Sequence, residues 1–154
     1  MAKVEQFIKR VSTYQNIMLD TNAVIYFLDG TPNLVDLMLP FFERVEQGHA
    51  KVTLSVISEA ELLVKPYRDK NSAVIETVSF FLEEFPNLKI SPVNRGICRQ
   101  AASIRAESDL RMPDAIILAT AMNNGCDLLL GNDLALMKKA GSYLPAIILN
   151  EYAF

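Results

Sequence analysis

The stretch MPDAIILATAMNNGCDLLLGND, residues 112–133, carries in one run a helix-like segment, a stop and a short apolar strand. Pro113 stands where a first helical turn tolerates a missing N–H, the apolar segment continues to Asn124, and Gly125 is a helix-ending residue. Residues 127–130 then read as a strand buried on both faces, because the run is apolar and too short to be a helix by itself. A helix followed at once by a fully buried strand is half of a βαβ unit, and the rest of the chain repeats it.

Four further runs of the same kind occupy residues 17–20, 51–55, 88–92 and 146–149. Between them lie helix-like segments over 33–47, stopping at Gly48; 58–65, stopping at Pro66; 71–85, stopping at Pro86; and 94–107, with a short one over 134–139. Strands alternating with helices imply right-handed crossovers and a parallel sheet with helices on both faces. The expected fold is α/β, a three-layer α/β/α sandwich around a central parallel sheet of about five strands. No internal repeat or long linker divides the chain, so residues 1–154 are read as one domain. Residues 1–16 form an N-terminal extension in which Val4, Phe7, Ile8 and Val11 make one apolar helical face, suited to packing on the body or on a partner subunit.

Composition narrows the class. At 51% apolar and 21% charged, the 154 residues can bury a large core without disulfides or a structural metal. The two cysteines, Cys98 and Cys126, lie in apolar helix-like stretches outside any zinc spacing and are expected to be reduced and buried. The first residues, MAKVEQFIKRVSTYQN, lack the apolar centre of a signal peptide, and no apolar run is long enough to span a bilayer, so the protein is expected in the cytoplasm. A formal charge of −3 argues against nucleic-acid binding until four carboxylates are set aside as metal ligands, after which the remainder is +1.

In an open parallel sheet, ligands gather beyond the carboxyl ends of the strands. Four acids are expected there. Asp20 ends the first strand, Glu61 lies early in the helix after the second, Asp114 opens the helix of the 112–133 stretch, and Asp133 follows its strand. Such carboxylates repel one another unless protons or cations neutralise them, and hard oxygen donors in a wet cleft suit Mg²⁺ or Mn²⁺. Asp114 has the alternative of favouring the helix dipole, and Asp133 that of capping the helix at 134–139. Glu61 has a rival in Glu59, which helical phase does not separate from it. Asp29 with Gly30 reads as a turn, Asp127 opens a strand at the opposite edge, and Glu83 with Glu84 lies on a solvated helix face. The single histidine, His49, is placed at the amino edge, which argues against a Ser/His/Asp device. No phosphate-cradling glycine motif is present, nor the Asp-x-Asp after the first strand that a haloacid-dehalogenase-like phosphatase would want.

The strings IMLDTNAVIYFL, LSVISEAELL, MPDAIILATAMNNGCDLLLGND and LPAIIL, in this order and spacing, resemble the PIN-domain family, particularly the VapC-like toxin ribonucleases, from about Ile17 to Leu149. The resemblance implies that Asp20, Glu61 rather than Glu59, Asp114 and Asp133 are catalytic metal ligands. It implies an Mg²⁺- or Mn²⁺-dependent endoribonuclease acting on RNA, with an antitoxin protein as a candidate partner. The alternative is a catalytically inactive PIN-like RNA-binding or regulatory module. Thr21 and Asn22 match the family string and are expected to order the first loop. The chain departs from the pattern at Gly131, where family members often carry Thr or Ser, and in the 16 residues before Ile17. Lys65, Arg68, Lys70 and Arg111 are candidates for positioning phosphates. A homodimer is expected from the resemblance and from the adjacent aromatics Phe41, Phe42, Phe80 and Phe81, which helix geometry does not let one face bury.

Overall fold

The computed structural model describes residues 2–154. Five strands, β1 (Asn16–Leu19), β2 (Lys51–Ser55), β3 (Leu88–Ser91), β4 (Leu128–Gly131) and β5 (Ala146–Ile148), form one all-parallel sheet in the order β3-β2-β1-β4-β5. The chain builds outward from β1 to β2 and β3, then crosses back to lay β4 on the other side of β1. The order therefore reverses between β1 and β4, and the crevice at their carboxyl ends is where an open sheet receives ligands.

Side chains alternate across each strand, so the sheet feeds two cores. Ile17, Leu19, Val52, Leu54, Leu128, Leu130 and Ile147 enter one, and Met18 and Leu129 enter the other. The first core is closed by α1 (Lys3–Val11), α2 (Thr21–Asp29), α3 (Val35–Glu46), α4 (Val56–Arg68), α5 (Ser72–Glu84) and the C-terminal α9 (Asn150–Ala153). The second is closed by α6 (Arg95–Ala106), α7 (Met112–Asn123) and α8 (Leu134–Ala140). This is the three-layer arrangement expected from the alternation of strands and helices. In α7 both flanks are apolar, and Ala115, Ile117, Leu118, Ala119 and Ala121 are all buried.

Several local expectations need correction. Thr21 and Asn22 open not a loop but α2, capped by Asp20 and ended by Gly30 in the left-handed region, φ 65°. The run Ile25 to Leu28 is β-branched and aromatic, which hid a short helix from reading by propensity. Pro66 does not stop α4, which continues to Arg68; its buried ring sits in the last turn, where the forfeited hydrogen bond is close to the frayed end. Phe41 and Phe42 are each 1% exposed because α1 and α2 both pack on α3, and Phe81 of α5 is also buried. Phe42 meets Phe27, Phe81 and Phe85 at ring-centroid distances of 4.3, 5.6 and 5.3 Å. Phe80 alone of the four stays out, at 69% exposure. Cys98 is exposed and not buried, and both cysteines are free.

The N-terminal extension is helical and packs on α3 and α9, with Phe7 and Val11 buried. The Phe7 ring lies 5.7 Å from that of Tyr152, and Arg10 Nη1 donates to the Tyr152 hydroxyl at 2.9 Å. Among the described residues, no helix is long and apolar enough to cross a membrane.

Candidate functional site

Asp20 stands where β1 gives way to α2. Its N–H continues the ladder by donating to Leu130 O at 3.0 Å, while its side chain turns to helix capping, Oδ1 accepting from Thr21 N at 2.8 Å. An extended residue (φ −70°, ψ 152°) ahead of a helix has this double role, and here it holds the carboxyl group at the switch point with 5% exposure. Asp133 repeats the device beyond β4. It is the N-cap of α8, with Oδ1 accepting from Leu136 N at 3.0 Å. Capping and membership of the site are thus compatible for Asp133.

Glu61 reaches the rim from α4, whose start is fixed by Ser55 accepting from Ile57 N at 3.2 Å. Thr21 Oγ1 donates to Glu61 Oε1 at 2.8 Å and lies 2.8 Å from Ser58 Oγ. Since the threonine proton is committed to the carboxylate, the Ser58 hydroxyl must be the donor in that second bond. A relay of Ser58 to Thr21 to Glu61 therefore ties α4 to the residue after Asp20. Sequence reading did not find Ser58, although its spacing of three from Glu61 on one helix was the available signal. Asp114, in the first turn of α7, is 7% exposed and accepts from Arg111 Nε at 3.4 Å.

Two of the four acids are shifted, and the charges of the others contribute. Burial raises the Asp20 carboxyl to about 6, opposed by the Thr21 N–H and reinforced by the charges of Asp114, Asp133 and Glu61. Burial likewise raises Asp114, with Asp133 and Glu61 adding to the shift and Arg111 opposing it. Glu59 is not among the charges that raise either group. Among the described residues the only ion pair at these acids is Arg111 with Asp114, and that arginine is largely exposed.

The donor set has the chemistry for a hard divalent cation: four carboxylates, with Asp20 and Asp114 buried, Asp133 half-buried and Glu61 exposed to water. Yet among the described residues no three or more acid, imidazole or thiol groups converge closely enough to hold a metal ion as they stand. These observations are compatible for Mg²⁺, which keeps several waters and needs only one or two direct carboxylates.

The other acids have other places. Asp127 is at the amino edge, where its oxygens accept from Gln15 N and Asn16 N at 3.0 and 2.9 Å and so fix the start of β1. Glu83 and Glu84 are exposed on α5, and His49 is exposed before β2. Asp29 lines a groove of about 390 Å³ that leads from Glu61 between α2, α4 and α5, past Ile25, Leu62, Lys65 and Val78. Lys65 is thus the one of the candidate cations that shares this groove with Glu61, whereas Arg68 and Lys70 are on open surface.

Residues 17–141 match the sequence profile of a family described as the PIN domain. No curated protein matches the chain. Among solved structures, the chain is similar to one in the Rickettsia felis VapBC2 complex bound to a DNA fragment from its promoter. That match has TM-score 0.70 and 19% identity, over 87% of this chain and 98% of that one. It is also similar to a chain of VapBC-1 from nontypeable Haemophilus influenzae, at TM-score 0.66, 19% identity and coverage of 88% and 99%. A chain of FitAcB from Neisseria gonorrhoeae matches at TM-score 0.64 and 22% identity, covering 86% and 97%.

Proposed function

Because the chain belongs to the PIN-domain family, we propose that it is an endoribonuclease dependent on Mg²⁺ or Mn²⁺, with Asp20, Glu61, Asp114 and Asp133 as its ligand and catalytic set. The observation that carries this reading is that Asp114, Asp133 and Glu61, each on a separate element, lie near enough to Asp20 at the sheet's switch point for their charges to add to the burial that raises its carboxyl. A cluster of negative charge with one exposed arginine beside it is unfavourable unless a cation completes it.

A bound divalent cation would supply an activated water and offset charge developing on a phosphate. The chain's own residues do the rest. Asp20 and Asp133 each commit one oxygen to a backbone N–H, which fixes the plane of the carboxylate before any ligand arrives. Thr21 holds Glu61 at Oε1, and the Ser58 hydroxyl holds Thr21. Lys65 and Arg111 flank the acids and are suited to the negative RNA backbone, with Arg68 and Lys70 further out.

On this reading residues 1–154 form one PIN-like domain acting in the cytoplasm, as the toxin of a toxin–antitoxin pair. The groove leading from Glu61 has an apolar floor of Ile25, Leu28, Leu62 and Val78, which suits a segment of an antitoxin protein. A homodimer would cover the exposed Val64, Tyr67, Val74 and Phe80 of α4 and α5. A second reading, a catalytically inactive RNA-binding or regulatory module, is favoured by the lack of any three converging ligands among the described residues. Incubating the purified chain with single-stranded RNA, with Mn²⁺ or with EDTA, separates the two. Metal-dependent cleavage supports the nuclease, and RNA binding without cleavage supports the module.

A further inference from the structure

The β1–β4 register pairs Leu19 with Leu130, so the next cross-strand neighbours at the carboxyl edge are Asp20 and Gly131. In a parallel ladder such neighbours present their side chains on the same face. A Cβ built on Gly131 would come within 2.7 Å of Asp20 Cβ and 3.3 Å of Asp20 Oδ2. No real pair of such atoms approaches so closely, and Asp20 Cβ is not the far end of a flexible chain that can swing aside. Asp20 is also held from both sides, through its N–H to Leu130 O and its Oδ1 from Thr21 N. Gly131 is buried, and its backbone lies outside the left-handed region, unlike that of Gly30, Gly48 and Gly125. Space and not backbone conformation is therefore what requires glycine here.

We propose that Gly131 is a positioning residue for the acidic site: its missing side chain lets Asp20 lean across β4, on the strand end that carries Asp133 two residues later. The inference rests on the metal-dependent reading of these acids. With Asp20 seated as it is in this chain, a Cβ at 131 displaces its carboxylate from β4, while the sheet ladder itself, including Leu149 N to Gly131 O at 2.9 Å, uses only backbone.

The test uses the full chain and Mn²⁺ alone as the probe, with free Mn²⁺ followed by its paramagnetic resonance. Wild type is expected to bind, and Asp20→Asn to bind more weakly. Gly131→Ala should lose about ten- to a hundredfold in affinity, as loss of a ligand-orienting contact does. Adding Gly131→Ala to Asp20→Asn should cost nothing further, because the glycine acts through Asp20. If wild type binds and Asp20→Asn does not, yet Gly131→Ala binds like wild type, the role of Gly131 is overturned and the metal site stands. If wild type itself binds no Mn²⁺, the metal reading falls and the proposal with it. Should Gly131→Ala fail to fold, melting of the Asp20→Gly, Gly131→Ala double variant decides. A folded double variant supports a clash with Asp20 Cβ, and one as unfolded as the single variant overturns it.

Discussion

The hydroxyl of Thr21 donates to Glu61 Oε1 at 2.8 Å, so the residue that follows Asp20 orients a carboxylate forty positions further along the chain. Local sequence thus builds one acid and aims another. Thr21→Val keeps the shape but leaves the buried Ser58 hydroxyl without its acceptor, a loss of about 1–3 kcal/mol. Urea unfolding should show a drop of that size together with slower RNA cleavage, and Thr21→Ser should restore both. Full activity in Thr21→Val would mean that Glu61 needs no orientation.

Asp133 combines a cap and a charge, and two substitutions separate them. Asn is as good a helix cap as Asp, so Asp133→Asn should keep the melting temperature and lose cleavage. Asp133→Ala should lose cleavage and, in addition, about 1 kcal/mol of stability. Equal stability of the Asn and Ala variants would remove the capping role.

Strand positions, their parallel direction and the helices facing the second core were legible in the sequence, because runs such as Leu128 to Leu130 are apolar on both faces and too short for anything else. The candidate site was legible to the level of four acids gathered at one edge. What periodicity did not supply was the choice of Glu61 over Glu59, which came by resemblance. In the structure the difference lies in a tertiary bond to Thr21, invisible to helical phase. The relay through Ser58 and the close approach of Gly131 to Asp20 escaped for the same reason, since each depends on how strands and helices meet and not on either alone. Phe41 and Phe42 misled because two-sided coverage of α3 needs the extension helix in place.

That extension belongs to the core. Phe7 is fully buried against Tyr152, so Phe7→Ala should cost about 3–5 kcal/mol. Urea unfolding measures it. A loss under 1 kcal/mol would mean that α1 is a detachable appendage.

The metal-free protein should respond to pH through Asp20. Its carboxyl is raised by burial, then by neighbouring charges, from 3.8 to about 6, so the folded state holds the proton more tightly than the unfolded chain does. The stabilising contribution is full below about pH 4 and is lost as pH rises through about 6. In EDTA, the melting temperature of wild type should therefore fall relative to Asp20→Asn between pH 4 and pH 7. A difference that does not change with pH would contradict the assignment.

The most direct measurement is cleavage of a single-stranded RNA by the purified chain in Mn²⁺, compared among wild type, Glu61→Gln and Glu59→Gln, with EDTA as control. Wild type and Glu59→Gln should cleave, Glu61→Gln should lose at least about a hundredfold, and no cleavage should occur in EDTA. Cleavage that survives EDTA, or that is lost in Glu59→Gln and kept in Glu61→Gln, would contradict the proposed function.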